Sequence, residues 1–265
     1  MRARYYFRYL YFLVWNLFTG QRFIRFSVNA TGRIHFYDRL KKRFFYLHSR
    51  NLIDSTTAEQ IFTRNDYDFS FMQRAAELRS RYDQCVAQGK TVLIIDCGAN
   101  IGLSARYFAE EFDKAQIIAI ELSAENCAMI DKNCAHLKNV AIINKAIGSS
   151  GGFVSIADET ADANSFQAIR GTASNNIQVV TIPDILALHE GAEFFIAKID
   201  IEGFEHDLFS ENTDWVDQTT VLIVETHDWM LPSQANSTNF LKAISGKNRD
   251  FLINGENVFS IANDH

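Results

Sequence analysis

The fold is decided by the stretch Thr91-Val-Leu-Ile-Ile-Asp-Cys-Gly-Ala-Asn-Ile-Gly102. Its first five residues are apolar or β-branched, which predicts a buried strand. Gly98, Ala99 and Gly102 then have no side chain or only a methyl group. Residues 103–112 predict a helix. Because glycines let backbone N–H groups approach a ligand and a helix N-terminus favours negative charge, this arrangement predicts a ligand-binding turn. A plain βα turn has the same composition, so this stretch alone leaves both interpretations open.

The next predicted strand, residues 116–121, ends in a carboxylate. Glu121 lies 19 residues after Gly102. In nucleotide-binding sheets an acidic residue at about this spacing accepts hydrogen bonds from ribose hydroxyls, which suits either NAD or S-adenosylmethionine (SAM). The turn lacks the first glycine of Gly-x-Gly-x-x-Gly and is preceded by Asp96. Since SAM has no pyrophosphate and carries a sulfonium and an amino group, a carboxylate at this place favours SAM.

Beyond residue 91, predicted strands and helices alternate along the chain. This alternation indicates a parallel sheet with helices on both faces. Asn254-Gly255 between two apolar runs predicts a closing β-hairpin, whereas an NAD-binding sheet usually ends in a parallel strand. Other strands are predicted at residues 140–143, 153–156, 177–181, 194–200 and 220–225.

Acidic residues end several of these strands. Asp96, Glu121 and Asp200 each follow a buried run. Because ligands of open α/β sheets bind outside the carboxyl ends of the strands, we expect these three acids to face one site. Lys198 points along a buried strand and therefore needs a carboxylate partner.

The block Asp96-Cys-Gly-Ala-Asn-Ile-Gly102, then Glu121, and the block Lys198-Ile-Asp-Ile-Glu-Gly-Phe-Glu205 resemble the FkbM family of SAM-dependent methyltransferases. The resemblance runs from about Phe44 to the C-terminus. It implies an α/β fold with a Rossmann-like class I methyltransferase sheet, mostly parallel, with seven strands and a C-terminal antiparallel hairpin. A helical and β-hairpin extension or lid is expected over residues 1–88, and the SAM-binding domain over residues 89–265. The cofactor-binding residues expected on this basis are Asp96, Gly98, Ala99, Asn100, Gly102, Glu121, Leu122, Ala146 and Tyr67.

The same resemblance implies O-methylation of a hydroxyl on a sugar, glycolipid, polysaccharide or secondary metabolite. A hydroxyl is a poor nucleophile at neutral pH, so a general base is expected. Asp200 and His227 are the candidates, and an imidazole with a pKa near 6.5 suits this role. A structural histidine is the alternative for His227. Glu202 is expected to orient the base, to bind substrate hydroxyls or to cap a helix.

Three further hypotheses stay open. Close carboxylates also fit a divalent cation, although the sequence assigns no metal ligand. An NAD-binding oxidoreductase and a non-catalytic interaction module with the same fold are the alternatives to a methyltransferase.

The charge is unevenly distributed. Residues 1–50 carry 11 Lys and Arg against one acidic residue, and residues 51–265 carry 15 against 31. This asymmetry predicts that the N-terminal segment meets an anionic surface. Residues 1–18 are densely aromatic, but their apolar run is too short for a bilayer span of about 20 residues, and no signal-peptide cleavage site follows. A helix lying on a membrane and a helix packing on protein or a second subunit both remain open, whereas no nucleic acid is expected.

The cysteine spacing and the composition limit which class of protein this chain can belong to. With 265 residues and 47% hydrophobic residues, the chain can bury a full core. Its four cysteines form no C-x-x-C pair, and their spacing does not fit a zinc site. We expect reduced, mostly buried thiols in a cytoplasmic protein, located at the inner face of the membrane if the N-terminal segment binds lipid.

Overall fold

The computed structural model describes residues 20–26, 32–156, 168–171 and 177–263. The predicted N-terminal helix over residues 1–18 lies outside these ranges. The chain divides into two compact units, Met1–Asp66 and Tyr67–His265. The functional boundary expected after residue 88 stays a prediction. Every helix in the described ranges is too short or too polar to cross a membrane.

The described residues of the first unit form a three-stranded antiparallel sheet and one helix that contacts it. Aromatic rings from sheet and helix fill its core: Phe36 and Phe62 have ring centroids 5.3 Å apart. Asn51 caps the helix, because its side chain accepts a hydrogen bond from the backbone N–H of Asp54. The predicted hairpin is present as β2, Gly32–Asp38, and β3, Arg43–Ser49. The elements are β1 Phe23–Arg25, β2 Gly32–Asp38, β3 Arg43–Ser49 and α1 Leu52–Thr63.

Strands and helices alternate through the second unit, as the sequence predicts. The first helix of this unit begins at Ala75. The strands are β4 Val92–Cys97, β5 Gln116–Ile120, β6 Val140–Ile143, β7 Ala146–Ile147, β8 Gly152–Ile156, β9 Ala168–Arg170, β10 Ile177–Val180, β11 Glu193–Ile199, β12 Val221–Glu225, β13 Arg249–Asn254 and β14 Asn257–Ala262. The helices are α2 Ala75–Ala87, α3 Leu103–Glu111, α4 Ala124–Cys134, α5 Ile182–Ala187, α6 Glu205–Leu208, α7 Trp215–Gln218 and α8 Thr238–Ile244, with a 3₁₀ turn at His227–Trp229.

The large sheet has seven strands in the order β13-β14-β12-β11-β4-β5-β6. From β12 to β6 all neighbours are parallel, and β14 is antiparallel to both β12 and β13. This confirms a mostly parallel sheet that closes with an antiparallel hairpin. The order reverses at β4, because the chain continues to β5 on one side and later returns to β11 on the other. Such a reversal opens a crevice at the carboxyl ends of the strands.

A smaller sheet, in the order β7-β10-β8-β9, carries one wall of this crevice. The strands predicted at residues 153–156 and 177–181 belong to it. Sequence analysis missed β7 and β9, because runs of two or three residues carry no measurable periodicity. The side chain of Arg170 on β9 forms an ion pair with Asp207 on α6 at 2.8 Å, which links this sheet to the chain that follows β11.

All four cysteines are free thiols, as predicted. Cys85, Cys97 and Cys134 are buried, and Cys127 is half-buried. Burial raises the pKa of the Cys127 thiol to about 11, so the neutral thiol is its dominant form at neutral pH.

Candidate active site

The turn after β4 contacts the ends of two neighbouring strands. Gly98 has φ of +77°, and a Cβ at this position would lie 1.8 Å from the carbonyl oxygen of Asp200. Only glycine allows this conformation together with such a close approach. The backbone N–H groups of Gly98 and Ala99 both donate to the carbonyl of Ile120 at 3.0 Å. The turn is thereby fixed to the carboxyl ends of β5 and β11.

Gly102 serves the packing of two helices. It precedes α3 with φ of +82°, and a Cβ there would lie 2.9 Å from Cγ2 and 3.0 Å from Cα of Ile130 on α4. Only a residue without a side chain permits this contact. Gly102 is not among the residues that line the cavity beside the turn.

A cavity with an empty volume of about 560 Å³ opens beside the turn. Seven predicted site residues line it: Gly98, Asn100, Glu121, Leu122, Ala146, Asp200 and Glu202. Sequence reasoning did not single out the other lining residues, which include Lys145, Ile147, Ile201 and Phe204. Their positions depend on the path of the chain after β6 and β11 and have no local signature.

Glu121 borders the cavity at the end of β5. Its Oε2 accepts a hydrogen bond from the backbone N–H of Asn100 at 2.9 Å. Its Oε1 accepts from the backbone N–H of Ser123 at 2.9 Å and from the side chain of Asn126 at 3.2 Å. Burial raises the pKa of Glu121, and these hydrogen bonds oppose the rise. Since a carboxylate has about four acceptor sites, one is left for a ribose hydroxyl.

The cavity fits an adenosine-containing cofactor in three respects. Glu121 offers an acceptor at one place, and Leu122 and Ala146 offer apolar surface for a ring. The side-chain Oδ1 of Asn100 is buried and has no hydrogen-bond partner among the described residues. Buried acceptors of this kind are rare unless a ligand or a water satisfies them.

Two predicted cofactor residues lie outside the cavity lining. Asp96 is fully buried, and its Oδ2 accepts a hydrogen bond from the hydroxyl of Ser104 at 2.6 Å. Tyr67 is also buried, and its ring stacks on Phe108 with the centroids 5.6 Å apart. Burial raises the pKa of the Tyr67 hydroxyl, which keeps it neutral. Direct contact of either residue with a cofactor stays a prediction.

Lys198 joins the turn to Asp200. Its Nζ donates to the carbonyl of Gly98 at 2.8 Å and lies 3.3 Å from both Asp96 Oδ1 and Asp200 Oδ2. Burial by itself lowers the pKa of Lys198, but the charges of Asp200 and Asp96 raise it well above its ordinary value. The ammonium therefore stays charged, and it has the carboxylate partners that its buried strand position requires.

His227 lies beside the carboxylates at the ends of β11 and β12. Its ring is 1% exposed, and its Nδ1 lies 2.9 Å from Oε1 of Glu205. Its Nε2 lies 3.7 Å from Asp200 Oδ1, 3.7 Å from Glu202 Oε2 and 3.8 Å from Glu225 Oε1. Asp200, Glu202 and His227, the three predicted catalytic residues, are thus brought together, and they also offer ligand atoms for a cation.

These carboxylates change the protonation of the ring. Burial by itself lowers the pKa of His227, but the hydrogen bond to Glu205 and the charges of Glu205, Asp200 and Glu202 raise it to about 9. The sequence-based argument for a base relied on a pKa near 6.5, whereas this environment favours the protonated ring at neutral pH. Burial, then the charge of Asp200, raises the pKa of Glu202 to about 7 and that of Glu225 to about 8.

Glu205 is the site residue that sequence reasoning missed. Besides contacting His227, its Oε1 accepts from the backbone N–H of Ile201 at 3.0 Å. Its Oε2 accepts from the side chain of Asn236 at 2.8 Å. Glu205 is the last residue of the 198–205 block, but its contact with His227 follows from the pairing of β11 with β12 and has no local signal.

Comparisons with known proteins identify the family of the chain. A family model described as "Methyltransferase FkbM domain" matches residues 96–253, which is more than half of the chain. No curated protein sequence matches the chain. The matched range contains the turn after β4, Glu121, the 198–205 block and His227.

Several solved structures match parts of the chain at low sequence identity. Monomeric WbdD matches with 13% identity and a TM-score of 0.42, over 78% of this chain and 44% of that chain. A fibrillarin/Nop5p complex matches with 12% identity and a TM-score of 0.40, over 71% and 82%. Precorrin-6y C5,15-methyltransferase from Geobacter metallireducens matches with 13% identity and a TM-score of 0.35, over 73% and 90%. The present chain thus spans less than half the length of the WbdD chain.

The strand order, the cavity at the order reversal and the family match agree with one another. The match covers all the residues that line the cavity, from Gly98 to Phe204. Use of SAM is general for this class of enzyme. The chain therefore belongs to the FkbM methyltransferase family and is a SAM-dependent methyltransferase.

Proposed function

We propose that this protein transfers the methyl group of SAM to a hydroxyl oxygen of a sugar, glycolipid, polysaccharide or secondary metabolite. The observation that supports this is the position of Asp200, which lines the same cavity as Gly98 and Glu121. A hydroxyl must lose its proton when it is methylated. A carboxylate at the cofactor cavity therefore suits an oxygen acceptor.

Each residue of the cavity has a distinct part in this proposal. Bound SAM supplies an electrophilic methyl group on a sulfonium. Asp200 accepts the hydroxyl proton while the acceptor oxygen bonds to the methyl carbon and the carbon–sulfur electron pair returns to sulfur. Glu121 accepts hydrogen bonds from the ribose, and Lys198 holds Asp200 at 3.3 Å. Alignment of the reacting atoms by such fixed groups lowers the barrier by several kcal/mol.

We assign the proton-accepting role to Asp200 because it lines the cavity, whereas the His227 ring is buried beside it. His227, held by Glu205, lies 3.7 Å from the Glu202 carboxylate, and its charge opposes the rise that burial causes in the pKa of Glu202. Glu202 lines the cavity and binds acceptor hydroxyls. Its φ of +53° is rare for a residue with a side chain, and strain of this kind clusters at functional sites.

Family membership favours this function over the two alternatives that the sequence left open. A methyltransferase family and a closing antiparallel hairpin both speak against an NAD-dependent oxidoreductase. The open cavity with an unpaired acceptor on Asn100 favours a ligand-binding enzyme over an interaction module.

The test is a methyl-transfer assay with sugars, oligosaccharides and hydroxylated metabolites. S-adenosylhomocysteine release gives the rate, and the product's O-methyl signal in the NMR spectrum identifies the methylated atom. For Asp200→Ala we expect turnover to fall by about 10²- to 10⁴-fold, the usual contribution of a general base, with S-adenosylhomocysteine binding retained. Glu190→Gln on the exposed surface is the control. Full activity of Asp200→Ala would refute its role, and methylation at nitrogen or carbon alone would refute the oxygen acceptor.

Peripheral membrane contact or homodimerisation through residues 1–50 and a cytoplasmic location remain predictions. Residues 1–19 lie outside the described ranges.

A further inference from the structure

Three side chains converge at the carboxyl ends of β11 and β12. Asp200, Glu202 and His227 each offer one ligand atom, and these atoms lie within 4.8 Å of one another. The imidazole Nε2 is 3.7 Å from both Asp200 Oδ1 and Glu202 Oε2. These distances are too long for hydrogen bonds. They suit neighbouring ligands of one ion, which lie about 3–4 Å apart when each bond to the ion is about 2.1 Å long.

His227 is held in the way that metal-binding histidines are held. Its Nδ1 lies 2.9 Å from Oε1 of Glu205, whose carboxylate is itself fixed by Ile201 and Asn236. Histidine ligands almost always have such a partner on the nitrogen that does not bind the ion. The ring is 1% exposed, and its Nε2 forms no hydrogen bond within the described part of the chain. The unbonded nitrogen of a buried residue thus faces carboxylates that it does not reach.

The surrounding charges also favour a cation at this point. Glu225 adds a third carboxylate, with Oε1 3.8 Å from Nε2 of His227. The neighbouring ammonium, that of Lys198, is shared between Asp96 and Asp200. Because Lys198 lies beside Oδ2 of Asp200, Oδ1 is the oxygen that faces His227. Carboxylates this close repel one another, and a cation among them removes the repulsion.

We propose that Asp200, Glu202 and His227 bind a divalent cation of the Mn²⁺ or Mg²⁺ class, and that this cation holds two adjacent oxygens of the acceptor. Carboxylate oxygens suit these ions, which are six-coordinate, so three protein ligands leave positions for substrate and water. Asp200 and Glu202 line the cofactor cavity, so substrate bound to the cation lies at that cavity. This inference rests on the proposed hydroxyl acceptor and narrows it to a vicinal diol.

The cation would also change the acidity of the acceptor. A hydroxyl bound to a divalent cation releases its proton more readily than a free one. A carboxylate such as Asp200 is then a sufficient proton acceptor even while its other oxygen binds the ion. Asp200 keeps the role proposed above whether or not the ion is present.

Binding of Mn²⁺ tests the site without reference to activity. Full-length protein with S-adenosylhomocysteine is titrated with Mn²⁺, and free Mn²⁺ is measured by electron paramagnetic resonance. We expect one ion per chain, and at least about tenfold weaker binding in Glu202→Gln, the usual range for a disturbed ligand set. Glu190→Gln on the exposed surface removes the same charge away from the cluster and should bind like the unchanged protein. S-adenosylhomocysteine binding confirms that each variant is folded.

The outcomes separate this inference from the proposed function. Absence of Mn²⁺ binding, or equal binding by Glu202→Gln, would overturn the cation site. Hydroxyl methylation that proceeds unchanged in EDTA would also overturn it, while the proposed function stands. A protein that binds Mn²⁺ at this site but methylates no hydroxyl would refute the proposed function instead. Equal rates with a vicinal diol and its monodeoxy analogue would refute the diol acceptor.

Discussion

At the scale of single residues, Gly98 and Glu121 determine the shape of the cofactor cavity. Gly98 lets the turn after β4 touch the carbonyl of Asp200, and Glu121 ties the same turn to the end of β5. Gly98 thus sets the distance between the turn and the carboxyl end of β11. Glu121 fixes the position of the turn on the side of β5. Both effects are measurable as cofactor affinity.

We expect Gly98→Ala to weaken S-adenosylhomocysteine binding by at least about tenfold, because its Cβ would displace either the turn or Asp200. Gly89→Ala is a matched control: its φ is +70°, but a Cβ there meets nothing within 4 Å. Both variants are destabilised by the strain of an alanine at positive φ, of order 1 kcal/mol. Calorimetric titration that shows equal affinity in the two variants would contradict the role of the close approach.

For Glu121→Ala we expect about a 10- to 100-fold loss of S-adenosylhomocysteine affinity, since a hydrogen bond to a charged group contributes about 1.5–3 kcal/mol. Asp131→Asn on the exposed face of α4 is the control for the change in charge. Isothermal titration calorimetry gives both constants. An unchanged affinity in a folded Glu121→Ala protein would exclude the ribose contact.

At the scale of elements, the site is assembled where β11 and β12 lie side by side. The chain after β11 supplies Asp200, Glu202 and Glu205, and the chain after β12 supplies His227. Parallel pairing places their carboxyl ends at the same edge of the sheet. Glu205 is the contact that locks these two chain segments to each other.

Removal of the Glu205 carboxylate should therefore destabilise the second unit. We expect Glu205→Ala to lower the free energy of unfolding by about 3–5 kcal/mol, because it leaves a buried imidazole, an amide and a backbone N–H without their partner. Glu205→Gln keeps the shape of the side chain and one acceptor oxygen, so its free energy of unfolding should fall clearly less. Urea denaturation monitored by circular dichroism measures both values. Equal stability of Glu205→Ala and the unchanged protein would contradict the locking role.

At the scale of the whole molecule, the charge separates along the sequence. The basic residues concentrate before residue 51 and the acidic residues after it. The acidic part contains the proposed catalytic residues, whereas the basic, aromatic residues 1–18 predict attraction to anionic lipid.

We expect deletion of residues 1–18 to abolish co-sedimentation with vesicles of anionic phospholipid and to leave S-adenosylhomocysteine binding intact. Vesicles of neutral phospholipid are the control for non-specific binding, and gel filtration reports the oligomeric state. A deletion that leaves vesicle binding unchanged would reject the membrane contact. If the deletion instead shifts the protein from dimer to monomer, residues 1–18 contact a second subunit.

The sequence by itself determined the class of fold and identified half of the residues that line the cavity. Three local patterns have a fixed relation to backbone geometry: the hydrophobic runs, the glycine turn at Gly98 and the Asn254-Gly255 hairpin. The spacing between Gly102 and Glu121 and the position of Asp200 at a strand end were sufficient to place Glu121 and Asp200 at one cavity. The structure confirms the seven-stranded sheet and its closing hairpin.

Only the tertiary structure decided the contacts between distant segments. In the folded chain Glu205 contacts His227, and Asp96 forms an ion pair with Lys198 behind the cavity lining. Carboxylates surround the imidazole and raise the pKa of His227 to about 9. No local pattern encodes these facts, because they depend on strand order and on the burial of each charge. A residue's type fixes which chemistry it can perform, and the neighbours that the fold supplies determine its protonation state and its partners.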